Sequence, residues 1–281
     1  MNITIGMTSH NCLNASKMTM EALFTYTNGK FNFVVVDNAS TDGSQEYFES
    51  FKKRTTSPYK FIPLDQNYGC ARSFNEVFKT SSEDDYVLLI NNDIVVTPNW
   101  LLNLAKYMEA HPEVGICSPH PIDNHVNEDT KFRWFGYNKD SYDRAGMVDE
   151  GWFNYARAIE DGPDEELDGF HGSAFCVTPE CRRSVGFFDE QFLKGCYEDL
   201  DYNYRSIKAG FLSKVTSKSV IFHLGGTTQH HVTVNEGGSG YREINRQKFE
   251  RKWGINTVGL ICSRALLWDN SIPNVNTRII L

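Results

Sequence analysis

The chain has 281 residues with 40% hydrophobic and 13% aromatic content, enough for a sizeable core in one large α/β domain or two small ones. Its formal net charge of −8, from 28 Lys and Arg against 36 Asp and Glu, excludes nonspecific nucleic-acid binding through overall charge. Seven cysteines, at positions 12, 70, 117, 176, 181, 196 and 262, form no Cys-x-x-Cys pair, so free thiols in a reducing compartment are expected rather than a disulfide framework or a zinc knuckle.

Asn2 to Thr8 reads as a first strand, ending in Ser9-His10-Asn11, with no charged-then-apolar leader before it. A helix from about Ala15 to Tyr26 follows, with Asn28-Gly29 as its stop. Phe31 to Val36 is almost uniformly apolar, as a central strand would be, and gives way to Asp37-Asn38-Ala39-Ser40-Thr41-Asp42-Gly43. A helix from about Ser44 to Lys53, a strand from Tyr59 to Leu64, the turn Asn67-Tyr-Gly and a helix from Ala71 to Lys79 continue the alternation. Tyr86 to Ile90 is a fourth strand, breaking into Asn91-Asn92-Asp93 before Pro98 opens a helix over about Asn99 to Ala110. This β-α-β-α-β-α-β order predicts a mostly parallel sheet with right-handed crossovers. Ligands bind outside the carboxyl ends of such strands, so Thr8, Asp37 and Asp93 are expected to line one crevice. Asn91-Asn92-Asp93 offers hard oxygen ligands for Mg²⁺ or Mn²⁺, although the same residues also make ordinary helix caps. Neither a Gly-x-Gly-x-x-Gly fingerprint nor a Walker lysine motif is present.

Beyond a fifth strand, Val114 to Ser118, residues 119 to 164 are polar and aromatic. Phe132, Trp134, Phe135, Tyr137, Tyr142, Trp152, Phe153 and Tyr155 there suit either stacking on sugars or bases, or a small core of their own. Leu167 to Thr178 reads as a strand entered through glycine turns, and Pro179 to Val185 as a short helix. Tyr197-Glu-Asp-Leu-Asp begins a helix to about Ala209, placing Glu198 and Asp199 at its positive end. Val215 to Phe222 is a last strand, followed by His223 and a Gly-Gly-Thr-Thr loop. Ser239 to Lys252 reads as a basic helix, either a solvated face or a contact for a polyanionic acceptor. The histidines, including His230-His231, fit no standard zinc spacing.

Several blocks, taken in order, resemble the inverting glycosyltransferases of family 2, with their Rossmann-like GT-A nucleotide-sugar-binding fold. They are Ile5-Gly-Met-Thr-Ser-His-Asn, Val35-Val-Asp-Asn-Ala-Ser-Thr-Asp-Gly-Ser, Asn67-Tyr-Gly-Cys-Ala-Arg-Ser-Phe-Asn and Leu89-Ile-Asn-Asn-Asp. Val185-Gly-Phe-Phe-Asp-Glu, Tyr197-Glu-Asp-Leu-Asp-Tyr-Asn-Tyr-Arg and Phe222-His-Leu-Gly-Gly-Thr complete the set. The resemblance implies that Thr8, Asp37 and Arg72 hold the base and ribose of the donor, with Asn92 beside them. It also implies that Asp93, with His223, meets a divalent Mn²⁺ or Mg²⁺, and that Asp199 is the catalytic base with Glu198 next to it. Asn91 stands where the metal motif usually begins with an acid, which leaves Asp93 most of the metal role. His171, after Asp168-Gly, is either a contact for the acceptor or donor sugar, together with Asp168, or a structural histidine.

The expected organisation is a GT-A domain over 1–230, with a donor half to about 118 and an acceptor half beyond it, and a C-terminal helical extension over 231–281. Residues 254 to 281 suit an edge or a homo-oligomer contact. The donor would be a nucleotide-diphosphate sugar, and the acceptor a glycan, a lipid-linked sugar, a protein or a modified nucleic acid. No apolar run reaches the ~18 residues of a transmembrane segment, so a soluble cytoplasmic protein is expected, with peripheral membrane attachment left open. The alternatives are an inactive sugar-nucleotide or glycan-binding module, and a nucleotidyltransferase.

Overall fold

The computed structural model describes residues 1–123, 150–163, 166–225 and 240–254, together with short strands at 266–268 and 278–280. The first half alternates as the apolar runs predict: β1 (Ile3–Ser9), α1 (Leu13–Tyr26), β2 (Asn32–Asp37), α2 (Ser44–Phe51), β3 (Tyr59–Pro63), α3 (Cys70–Thr80) and β4 (Tyr86–Asn91). Then come β5 (Ile94–Val96), α4 (Trp100–Ala110), β6 (Val114–Asp123), α5 (Glu150–Asp161), β7 (Glu166–Asp168) and β8 (Ala174–Val177). The remaining elements are α6 (Pro179–Val185), α7 (Glu198–Lys208), β9 (Leu212–His223), α8 (Tyr241–Trp253), β10 (Leu266–Trp268) and β11 (Arg278–Ile280).

The main sheet runs in the order β3-β2-β1-β4-β8-β6-β9-β5, with β7 also on β9. Strands β1 to β4 are mutually parallel, as expected from their crossovers. The second half is mixed: β8 is antiparallel to β4 and β6, β9 is parallel to β6, and β5 and β7 are antiparallel to β9. The chain enters β8 from the carboxyl end of β4, where the Asn91 N–H donates to Ser173 O at 2.8 Å, so β8 has to run backwards. That entry also brings residues 169–173 to the edge where the polar strand ends gather.

Alternation along the central strands builds a three-layer core. Ile5, Met7, Phe33, Val35, Leu88 and Ile90 face α1, α2 and α4, packing with Leu23, Phe48 and Trp100. Val34, Val36, Val87 and Leu89 face the other way, packing with Phe74 and Val77 of α3, Leu200 of α7 and Phe249 of α8. Burying each such large side chain contributes roughly 1.5–3 kcal/mol.

Several boundaries differ from the sequence expectation. Leu167–Thr178, expected as one strand, is split into β7 and β8. Gly169 turns the chain at φ 118°, its N–H is taken by Ser213 O, and the His171 N–H by Ser118 Oγ. β6 continues past Ser118 through Pro119 and Pro121, with a register shift between Pro119 and His120, the kind of irregularity at which a strand tolerates a residue without an N–H. The described part of 231–281 is not only helical, because β10 and β11 pair antiparallel. Phe132, Trp134, Phe135, Tyr137, Tyr142 and His230-His231 lie outside the described residues. Among the described residues, no helix is long and apolar enough to cross a membrane, and the described cysteines, all but Cys262, carry free thiols.

Candidate active site at the carboxyl edge of the sheet

Three adjacent strand ends form the floor. In register, Thr8 lies beside Val36 and Asn91, and Ser9 beside Asp37, so the three polar loops emerge side by side. Asn11, Cys12 and Ala39 adopt φ of 54°, 61° and 55°, a left-handed conformation costing about 1–3 kcal/mol apiece for such residues. Cross-bonds between the loops hold them there. The Asn11 N–H donates to Ser40 Oγ at 2.6 Å, the Thr41 N–H to Asn11 Oδ1 at 2.8 Å, and His10 Nδ1 to Asn38 O at 2.6 Å.

Asp37 is fully buried at the end of β2 and accepts from the Ser40 N–H at 2.8 Å, Ser40 Oγ at 2.5 Å and Gln45 Nε2 at 2.9 Å. Burial raises its pKa, and those hydrogen bonds oppose the rise. Asn92 turns inward: its Nδ2 donates to Ser16 Oγ at 2.9 Å and lies 3.4 Å from both Ser9 Oγ and Asn11 O. It ties the β1 and β4 loops to α1. Thr19 extends the tie, accepting from the Ile94 N–H at 3.0 Å and donating to Ile94 O at 2.9 Å. This fixes β5, a strand too short to be legible in the sequence.

Asp93 is thereby set opposite the end of β9. Ile94 pairs with His223, the Leu224 N–H donates to Asp93 O at 2.9 Å, and Asp93 Oδ1 faces His223 Nε2 at 3.4 Å. The side chains are only 5% and 12% exposed. The carboxylate oxygen is a donor for either Mn²⁺ or Mg²⁺, and the imidazole nitrogen beside it favours Mn²⁺ over the oxygen-seeking Mg²⁺, so this pair fits a manganese ion best. Among the described residues, no three His, Cys, Asp or Glu side chains gather around one point.

His171 continues the row. Its ring centroid is 5.6 Å from that of His223, nearly perpendicular at 76°, and its Nδ1 is 2.7 Å from Ser173 Oγ. Asp199 is also close by, its pKa raised by burial and pulled back by the Leu200 N–H at 2.8 Å and by the His171 charge. Gly172 makes this approach possible, because a methyl group at that position would run into Asp199 Oδ2. Asp93 thus faces His223, the His223 ring lies beside that of His171, and the residue after His171 abuts Asp199.

Three sequence-predicted residues stand elsewhere. Glu198 is buried beneath the row, where the Cys70 thiol bonds to it. Burial and then the Asp199 charge push its pKa well above the usual carboxylate range. Arg72, half-exposed on α3, pairs with Glu76 at 3.0 Å and Glu190 at 3.4 Å. Asp168 pairs with Lys214 at 2.9 Å near the start of β9, whereas His223 ends that strand. The Gly169 turn separates Asp168 from His171 although they are close in sequence.

Residues that the motifs did not point to complete the site. Gly69 has φ 91°, and a Cβ there would stand 2.6 Å from the Lys194 backbone N, so the Asn-Tyr-Gly turn lies directly on the 193–197 loop. Cys70 N–H donates to Lys194 O at 3.0 Å. The signal for Gly69 was present in its motif, but its partner loop was not.

A family model described as glycosyl transferase family 2 matches residues 4–160. A poly-beta-1,6-N-acetyl-D-glucosamine synthase of Staphylococcus epidermidis is 24% identical over 113 residues, 39% of this chain and 27% of that protein. An uncharacterized protein of Mycobacterium tuberculosis is 26% identical over 89 residues, 32% of this chain and 25% of that protein. The chain thus spans about a quarter of the length of these relatives. Among solved structures, a mannosyltransferase from Pyrobaculum calidifontis in complex with GDP-Man and Mn²⁺ superposes with a TM-score of 0.58 at 16% identity, over 83% of this chain and 59% of that one. S. aureus TarS 1-349 in complex with UDP-GlcNAc superposes with a TM-score of 0.58 at 11% identity, over 93% of this chain and 75% of that one.

Proposed function

Because the chain belongs to glycosyl transferase family 2 and has the GT-A fold of those enzymes, we propose that it moves a sugar from a nucleoside-diphosphate donor to an acceptor hydroxyl with inversion at the anomeric carbon. The observation that carries this reading is the row from Asp93 through His223 and His171 to Asp199, with a metal-suited pair at one end and a carboxylate base at the other.

Thr8 and Asp37 receive the nucleoside end of the donor at the β1 and β2 strand ends. Asp93 and His223 would hold Mn²⁺ or Mg²⁺, which when bound stabilises the negative charge of the departing diphosphate. Asp199 takes the proton from the acceptor hydroxyl as its oxygen attacks the anomeric carbon from the face opposite the leaving group. His171, whose Nδ1 meets Ser173 Oγ and whose backbone N–H donates to Ser118 Oγ, would contact the sugar. Neither a covalent intermediate nor a nucleophilic serine is required. The neighbouring structures were obtained with GDP-Man and with UDP-GlcNAc, which makes these the first donors to try. A glycan, a lipid-linked sugar, a protein or a modified nucleic acid would supply the hydroxyl.

The pH dependence tests the role of Asp199. A base works only when ionised, and burial raises this carboxyl above its ordinary value near 3.9. The groups facing it are His171, Glu198, Cys70 and Cys196, and of these the His171 charge favours ionisation. The rate is therefore expected to rise through an acidic limb displaced upward from the usual carboxylate range, and to fall away below it. A rate independent of pH across that range would remove Asp199 from the mechanism.

A further inference from the structure

We propose that Asn245, on α8 and outside the segment matched by the family model, is the positioning residue that holds the loop presenting Asp199. This inference rests on reading Asp199 as the base.

Asn245 is completely buried. Its Nδ2 donates to Leu193 O at 2.8 Å, Gly195 O at 2.9 Å and Cys196 O at 3.0 Å, and its Oδ1 accepts from the Leu193 N–H at 2.9 Å. One side-chain amide thereby satisfies four backbone groups of the segment leading directly into Glu198 and Asp199. Within that segment Lys194, Cys196 and Tyr197 have φ of 60°, 70° and 74°. Side chains rarely occupy that region unless the surroundings impose it. The loop is gripped from two sides, by Asn245 and by the Gly69–Cys70 turn on Lys194.

The rest of α8 is built to deliver Asn245. Phe249 and Trp253 follow at helical spacing on the same face. Phe249 is fully buried with its ring 5.6 Å from that of Tyr197, and Trp253 Nε1 donates to Asp201 Oδ1 at 2.9 Å. Asp201, buried on α7, also receives Lys252 at 2.7 Å and Arg205 at 2.9 Å. α8 is thus locked to α7 two residues beyond the base, and Asn245 reaches from that anchor to the loop before it.

The test compares Asn245→Ala with Ile244→Ala, at a 45% exposed position of the same helix, and with Asp199→Asn. Release of nucleoside diphosphate from UDP-GlcNAc and GDP-mannose is measured beside the affinity for UDP and GDP. Asn245→Ala is expected to lower the turnover rate by about 10–100-fold, since small misplacements of a reacting group cost that much, with nucleotide affinity and the Ile244→Ala rate held within about twofold. A wild-type rate in Asn245→Ala, or a loss of rate matched by a loss of nucleotide affinity, overturns the proposal. Full activity in Asp199→Asn would instead overturn the base assignment. Amide exchange over residues 193–199 decides independently of turnover: Asn245→Ala must lose protection there while Ile244→Ala keeps it, and unchanged protection in Asn245→Ala refutes the proposal.

Discussion

Asp199→Asn is expected to slow sugar transfer by about 10²–10⁴-fold, the usual contribution of a positioned base, while nucleotide affinity stays close to wild type. The substitution removes a charge and leaves the shape of the side chain. The Leu200 N–H that Asp199 Oδ1 accepts can be kept by the amide oxygen, so the start of α7 has no reason to move. Glu198 cannot take over. Its carboxyl is buried against the Cys70 thiol, where burial and the Asp199 charge disfavour the ionised form that a base needs. Steady-state kinetics with calorimetric binding of UDP and GDP reads both halves of this result. A fall in affinity equal to the fall in rate would mean that Asp199 supports the donor site and not the proton transfer.

Asp93→Ala and His223→Ala carry the second large effect. Each is expected to cost about 10²–10³-fold in Mn²⁺-supported rate, of the order seen when one electrostatic stabiliser of a transition state is removed. The double variant should be little worse than Asp93→Ala alone, because two ligands of one ion act as a unit. Asp93 Oδ1 and His223 Nε2 are 3.4 Å apart, so either side chain removes half of the same donor set. Both residues are also held by backbone, through the Ile94–His223 pairing and the Leu224 N–H to Asp93 O. Truncating the side chains therefore leaves the strand junction intact, and melting temperatures near wild type should accompany the kinetic losses. Fully additive losses would place the two residues in separate roles.

Much of the donor half was legible because its physics is local. Phe31 to Val36 and Tyr86 to Ile90 are buried on both faces, and continuous apolar runs ending in Asp or Asn say so without further context. The polar strand ends then gather at one edge because parallel strands leave their carboxyl ends together. The acceptor half depends on contacts between distant segments. Asp168 and His171 are three residues apart, yet one pairs with Lys214 and the other faces His223, because Gly169 turns the chain between them. Glu198 and Asp199 look equivalent as neighbours, but the helix start buries one and presents the other. Arg72 sits in its expected motif while its guanidinium answers to Glu76, four residues on along the same helix, and to Glu190, a distant partner that no local pattern records. Asn245 was hidden by the charges around it: Arg242, Arg246, Lys248, Arg251 and Lys252 give α8 a solvated character. The stripe Asn245, Phe249, Trp253 at intervals of four was the available signal.

The measurement that bears most directly on the proposed activity is release of free nucleoside diphosphate by the full chain. It would be followed across UDP-, GDP- and dTDP-sugars with Mn²⁺ and again with a chelator. Release from one nucleotide class that disappears with the chelator is the expected result, with a sugar product of inverted anomeric configuration. Release of pyrophosphate, or neither turnover nor calorimetric binding of any of these donors, would contradict it.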